Sequence, residues 1–211
     1  LSMKQIYKRI KKCRICNSKN LVNYLDLGKT PLANSLIEQK DISKKEMEFP
    51  LEVFYCKDCS LSQLSIVINP EILFSEYVYC SSISITFQEH CAQMAEKVRE
   101  MIKHSEDKLV VDIASNDGCL LQQFKKKRFK VLGVEPAKNL AEIANSNGIE
   151  TICSFWNRES AIKILNKYGE AKVITATNVL AHVDNLNEFL EAVKILLSKD
   201  GSFIVEVPYL H

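Results

Sequence analysis

From Leu109 onward, short apolar runs alternate with amphipathic helical stretches, and no other feature of the chain narrows its fold as much. Leu109–Ala114, Lys130–Glu135, Glu150–Cys153, Lys172–Thr177 and Ser202–Val207 read as strands, with helices over Gly118–Lys127, Lys138–Asn147, Arg158–Lys167 and Leu186–Leu197. Strands built almost entirely of Val, Ile and Leu must be covered on both faces. The helices between them supply that cover, which predicts an α/β fold with a mostly parallel sheet. Right-handed crossovers then make it doubly wound and Rossmann-like. Gly148 and Gly201 stand where helices are expected to stop and turn into the next strand.

The first 75 residues follow another rule. Turn formers at Asn17-Ser18, Gly28, Thr30-Pro31 and Asn69-Pro70 break the chain, and short pieces such as Leu51–Tyr55 and Ser62–Val67 alternate like strands. Residues 1–75 are therefore expected to form a small irregular and β domain. Residues 76–105 are read as a connecting segment with a helix over Thr86–Lys103, where Phe87, Cys91, Met94, Val98 and Met101 recur at helical steps. Residues 106–211 form the sheet domain.

Four of the eight cysteines lie in two C-x-x-C pairs, Cys13/Cys16 and Cys56/Cys59, inside the small domain. Two such pairs supply four thiolates, and four thiolates close the coordination shell of a structural zinc ion. Disulfides are the alternative, disfavoured in a reducing compartment; a redox dithiol would not need two pairs. A metal would also explain how a module with so few large apolar residues folds. Cys80, Cys91, Cys119 and Cys153 stand singly and read as small apolar residues. A net charge of +2 argues against nucleic acid, and no apolar run is long enough to span a membrane. No secretory segment opens the chain, so a cytoplasmic location is expected; a monomer that acts on a small-molecule substrate is a separate expectation.

Ligands of doubly wound sheets sit beyond the carboxyl ends of the strands, where strand order reverses. The first strand runs into Asp112-Ile-Ala-Ser-Asn-Asp-Gly118, and the second ends in Glu135-Pro136. Asp112 is suited to a cationic amine. Ala114, Ser115, Asn116 and Gly118 let a ligand approach closely, and Glu135 can accept from both hydroxyls of a ribose. Simple strand-end solvation is the bland reading of the two acids. The layout serves a dinucleotide or S-adenosylmethionine, but G-x-G-x-x-G is absent, which favours the second. Phe155, after the third strand, offers a surface for adenine or belongs to the core. Asn178 and His182 follow the fourth strand near the same crevice; a lone histidine is otherwise a surface or cap residue.

In this order, these motifs resemble the zinc-containing sugar C-methyltransferases that act on nucleotide-linked 4-keto-deoxysugars. The resemblance is carried by Cys13-Arg-Ile-Cys16, Asp26-Leu-Gly-Lys-Thr-Pro-Leu-Ala-Asn34, Phe49-Pro-Leu, Cys56-Lys-Asp-Cys59, Leu61-Ser-Gln-Leu64 and Tyr77-Val-Tyr-Cys-Ser-Ser82. It continues through Ile113-Ala-Ser-Asn-Asp-Gly118, Gly133-Val-Glu-Pro-Ala137, Asn178-Val-Leu-Ala-His-Val183 and Glu206-Val-Pro-Tyr209. It implies S-adenosylmethionine and zinc as cofactors, and carbon methylation through an enolate. It makes Tyr77–Ser82 the substrate-facing stretch, with Tyr77 or Tyr79 on the sugar; packing at the domain junction is the other reading of both tyrosines. The resemblance implies that the base comes from a Tyr-His-Glu-His stretch into which the family continues, whereas this chain stops at Pro208-Tyr-Leu-His211. The expectation is that these residues hold zinc and cofactor, while turnover needs more polypeptide. Another methyl acceptor, a non-catalytic zinc-containing scaffold and a nicotinamide dehydrogenase are the competing functions.

Overall fold

The computed structural model describes residues 6–33, 35–102 and 109–208. Asn34 of the Asp26–Asn34 motif, the expected helix end at Lys103, the 105/106 domain boundary, Tyr209 and the expected chain end at His211 lie outside the described residues. The chain divides into two compact units, Leu1–Phe74 and Ser75–His211.

The first unit is more regular than its sequence implies. β1 (Tyr7–Arg9), β2 (Leu21–Thr30), β3 (Phe49–Cys56), β4 (Ser62–Leu64) and β5 (Ile66–Ile68) are followed by a one-turn helix, α1 (Pro70–Phe74). β2, β3 and β4 form an antiparallel sheet in that order, and β1 pairs with β5. β2 was hidden by its own turn formers. Its register against β3 shifts between Asn23 and Leu25 and again between Asp26 and Lys29. The second irregularity holds Gly28 at φ 77°, with its N–H bonded to Asp26 Oδ1 at 2.9 Å. Such bulges let a strand carry residues that alone would signal a turn. The single strand expected over Ser62–Val67 breaks at Ser65, because β4 and β5 pair with different partners. Among the described residues, the buried apolar side chains here are Cys13, Phe49, Cys56 and Ile66. That core is thin for a unit of this size.

The second unit is the expected α/β sheet. α2 (Ile85–Met101) precedes β6 (Leu109–Ile113), α3 (Cys119–Lys126), β7 (Lys130–Glu135), α4 (Lys138–Ser146), β8 (Thr151–Cys153), α5 (Arg158–Tyr168), β9 (Ala171–Thr177), α6 (Leu186–Leu196) and β10 (Leu197–Glu206). All five strands are parallel, in the order β10-β9-β6-β7-β8. Alternate residues of each strand face opposite sides. Val110 and Val173 pack with Cys91, Ala95, Val98, Leu121 and Phe124, whereas Val111, Ile113 and Ile174 pack with Ile164, Phe189 and Leu196. α2, read from sequence as the connection between domains, thus buries one face inside this unit; Ser84 caps it by accepting from Phe87 N. Truncating fully buried Phe124 to alanine would cost about 3–5 kcal/mol. Gly201 does not mark the helix end. α6 stops at Leu196, and Gly201 falls in the irregular stretch of β10 between the pairs Leu197↔Ala171 and Ser202↔Val173. Strand order reverses between β6 and β9, opening a crevice at their carboxyl ends. Among the described residues, no helix is long and apolar enough to cross a membrane.

Candidate cofactor crevice and metal centre

The two C-x-x-C pairs fold into the same turn. Asn17 N donates to Cys13 O at 3.0 Å and Ser60 N to Cys56 O at 2.9 Å. Each pair is followed by a left-handed residue, Asn17 at φ 59° and Ser60 at φ 64°. Asp58 ties the knuckles together, accepting from Ser18 Oγ at 2.5 Å and Asn20 Nδ2 at 2.9 Å. Those bonds hold its carboxyl below the usual range. The four sulfurs lie within 4.8 Å of one another, with Cys13–Cys59 at 3.4 Å and Cys16–Cys56 at 3.6 Å. A tetrahedral ion bound at about 2.3 Å holds its sulfurs about 3.8 Å apart, so the cluster fits one zinc. The electrostatics agree. Burial opposes the Cys13 thiolate, but the amides of Cys16 and Ile15, together with hydrogen bonds from the Cys59 and Cys16 thiols, outweigh it and bring the thiol to about 7. The Leu61 amide favours the Cys59 thiolate, yet its thiol neighbours and burial prevail and push it up to about 12. Four thiolates this close cannot all ionise without a cation among them.

The crevice is built around the turn leaving β6. Ala114, Asn116 and Gly118 adopt φ values of 56°, 53° and 82°, all left-handed. The turn packs against Gly133 of β7, where an added Cβ would lie 2.5 Å from Ser115 Oγ and 2.6 Å from Thr151 Oγ1. Its amides are all engaged. Ala114 N and Ser115 N donate to Val134 O, and Gly118 N to Ser115 O. Asn116 N donates to Glu135 Oε2, Asp117 N to Asn116 Oδ1 and Cys119 N to Asp117 Oδ1. A phosphate cradle needs free N–H groups. This turn offers none, and it is lined by carboxyls instead.

Asp112 is buried in β6 and accepts from Thr175 Oγ1 of β9 at 2.6 Å, across the strand-order reversal. Burial, opposed by that bond and helped by the charge of Glu135, pushes its carboxyl up to about 7. Glu135, also buried, accepts from Asn116 N on one oxygen and Ala137 N on the other, both at 2.8 Å. One lone pair of each oxygen remains for a further donor. Burial raises its pKa despite the two amides. Ser115 Oγ is buried with no partner among the described residues. Crowded carboxyls, a spare hydroxyl and closed amides fit a cationic nucleoside and not a pyrophosphate.

The remaining expected residues surround this core unevenly. Pro136 is half-buried between Glu135 and the start of α4. Phe155, half-buried, belongs to neither core cluster, whereas Trp156 packs on Phe189 and donates to its carbonyl at 3.2 Å. Asn178 ends β9 at φ 55°, its N–H on Glu206 O. His182 closes the short 3-10 turn Leu180–His182, and partial desolvation lowers its pKa. Tyr77 is half-buried and Tyr79 is 49% exposed. The stretch between them is anchored to the crevice: Asn116 Nδ2 donates to Tyr79 O, and Asn116 Oδ1 accepts from Ser81 N. Asp117, Thr175 and Asn139 were not expected from sequence. Asp117 had a signal, its place between Asn116 and Gly118; Thr175 and Asn139 had none.

Residues 13–74 match the domain family described as "Putative zinc binding domain", and residues 87–211 match the family described as "Methyltransferase domain". The C-methyltransferase NovU of Streptomyces niveus is 36% identical over 208 residues, 99% of this chain and 50% of that protein. The chain thus spans about half the length of that curated relative. Among solved structures, the plantazolicin methyltransferase BpumL in complex with SAH is 19% identical with a TM-score of 0.43, over 54% of this chain and 44% of that one. A methyltransferase from Clostridium acetobutylicum is 20% identical with a TM-score of 0.45, over 56% and 49%. The cofactors that go with this pair of domains are S-adenosylmethionine and zinc.

Proposed function

The chain belongs to the methyltransferase family, with a zinc-binding domain ahead of its methyltransferase domain, and from that premise we propose that it serves methyl transfer to carbon. The observation that carries this reading is the turn after β6. Its amides from Ala114 to Cys119 are consumed internally, while Asp112, Asp117 and Glu135 line it with buried carboxyls. Such a turn repels a pyrophosphate and attracts a cation.

Within this reading Glu135 holds the ribose hydroxyls and Asp112 faces the amine of the methionyl part. Ala114, Ser115, Gly118 and Pro136 shape the wall, and Phe155 meets the adenine. Cys13, Cys16, Cys56 and Cys59 hold zinc, whose closed shell gives it a structural role. When bound, S-adenosylmethionine supplies an electrophilic methyl group. The acceptor we propose is a nucleotide-linked 4-keto-deoxysugar. A base would take the proton beside its ketone while a donor stabilised the enolate oxygen, and the enolate carbon would then receive the sulfonium methyl as the S–CH3 bond breaks and S-adenosylhomocysteine leaves. Tyr77 or Tyr79 contacts the sugar; His182 and Asn178 stand at the rim where protons move. The motif order from Cys13 to Glu206 supports the acceptor class, and the C-methyltransferase relative supports carbon as the atom methylated.

Incubating the full-length protein with S-adenosylmethionine and a panel of keto-sugar nucleotides tests the proposal. The expected product is heavier by one CH2, with the new methyl on carbon by NMR. A methyl on oxygen or nitrogen, or no transfer to any member of the panel, overturns it.

A further inference from the structure

Tyr77–Ser82 belongs to no sheet among the described residues, yet side chains hold its main chain at both ends. Asn139, the second residue of α4, accepts from Tyr77 N at 3.2 Å and donates through Nδ2 to Tyr77 O at 2.8 Å. Asn116 Nδ2 donates to Tyr79 O, and Asn116 Oδ1 accepts from Ser81 N, both at 2.9 Å. Asp117 Oδ2 accepts from Ser82 N at 2.9 Å, and Gln88 Nε2 donates to Ser82 O at 2.6 Å. Each of these bonds uses the backbone of the segment. Val78 and Tyr79 therefore stay 61% and 49% exposed while the chain that carries them is held. A main chain fixed by side-chain amides and a carboxylate, with apolar and phenolic side chains left outside, is how a preorganised binding surface is built. The Asn116 side chain is moreover committed to the strap and to Asp117 N, so only the Asn116 backbone, donating to Glu135, faces the cofactor carboxylate.

We propose that Asn139 and Asn116 are positioning residues that hold the Tyr77–Ser82 strap against the cofactor turn, so that acceptor recognition depends on a clamp that touches neither acceptor nor cofactor. This rests on the methyl-transfer reading above. Asn139 is exposed at the start of α4, so replacing it leaves the core intact. In the full-length protein, Asn139→Ala should raise the acceptor KM about tenfold, the scale of one or two lost hydrogen bonds. The Kd for S-adenosylhomocysteine should stay within about twofold. Asn139→Asp keeps the acceptor for Tyr77 N and loses the donor to Tyr77 O, so its KM should fall between the two.

Amide hydrogen exchange gives a readout independent of turnover. The Tyr77, Ser81 and Ser82 amides should be protected in the unmodified protein, and Asn139→Ala should release Tyr77 alone. Unprotected amides in the unmodified protein with S-adenosylhomocysteine bound overturn the clamp, as does an unchanged KM in Asn139→Ala. Failure of the methyl-transfer reading looks different: no methyl transfer and no S-adenosylhomocysteine binding, with the amides still protected.

Discussion

Asp112 shows what one residue contributes and costs. Its folded pKa of about 7 lies above the unfolded value near 3.9, because burial disfavours the charged form. Between those values the folded protein binds a proton that the unfolded chain has lost. Stability therefore falls as pH rises from about 4 to about 7, and the full penalty remains above 7. Asp112→Asn keeps an acceptor for Thr175 Oγ1 and removes this dependence. Without cofactor, its melting temperature should match the parent near pH 4 and exceed it at pH 8, the difference in unfolding free energy widening by on the order of 1.4 kcal/mol for each pH unit between the unfolded and folded values. Parallel melting curves at both pH values would contradict the placement of Asp112. The acid itself was legible from its position at the end of an apolar strand. Its partner Thr175 was not, because hydrogen bonds between strands follow from sheet order, which the letters do not state.

At the scale of the element, the turn from β6 into α3 holds two non-glycine residues in the left-handed region, Ala114 and Asn116. Asn116 offsets the strain with side-chain bonds; Ala114 has no side-chain polar group to do so. Ala114→Gly should therefore stabilise the protein by about 1 kcal/mol in chemical denaturation. Gly118→Ala should destabilise it by a similar or larger amount, since φ is 82° and the new Cβ meets Ile149 at 3.1 Å. A destabilised Ala114→Gly would mean that the turn is not strained as described. The elements of this unit were legible because hydrophobic period and length agree from Leu109 onward. β2 was not, since its bulges at Asn23 and Asp26 need the partner β3 to keep the strand extended. The clamp on Tyr77–Ser82 was also invisible: Asn139 meets Tyr77 only after the sheet forms.

At the scale of the whole molecule, the two units rest on different physics. Ser75–His211 has an apolar core on each side of its sheet. Among the described residues of Leu1–Phe74, few apolar side chains are buried and four thiols cluster, so this unit is expected to depend on metal binding for its folding. Metal analysis should find one zinc per chain and none in Cys16→Ser. A strong chelator should abolish the slow amide exchange of β2 and β3 while leaving that of β6 and β9 in place. Protection of β2 and β3 that survives complete zinc removal would contradict this division. Calorimetric titration with S-adenosylhomocysteine tests most directly whether the crevice at the carboxyl end of β6 accepts a nucleoside through Glu135. The parent should bind one equivalent, Glu135→Gln should bind about tenfold or more weakly, and NAD should give no heat. Equal affinity in Glu135→Gln, or NAD binding in place of S-adenosylhomocysteine, would contradict that role for the crevice.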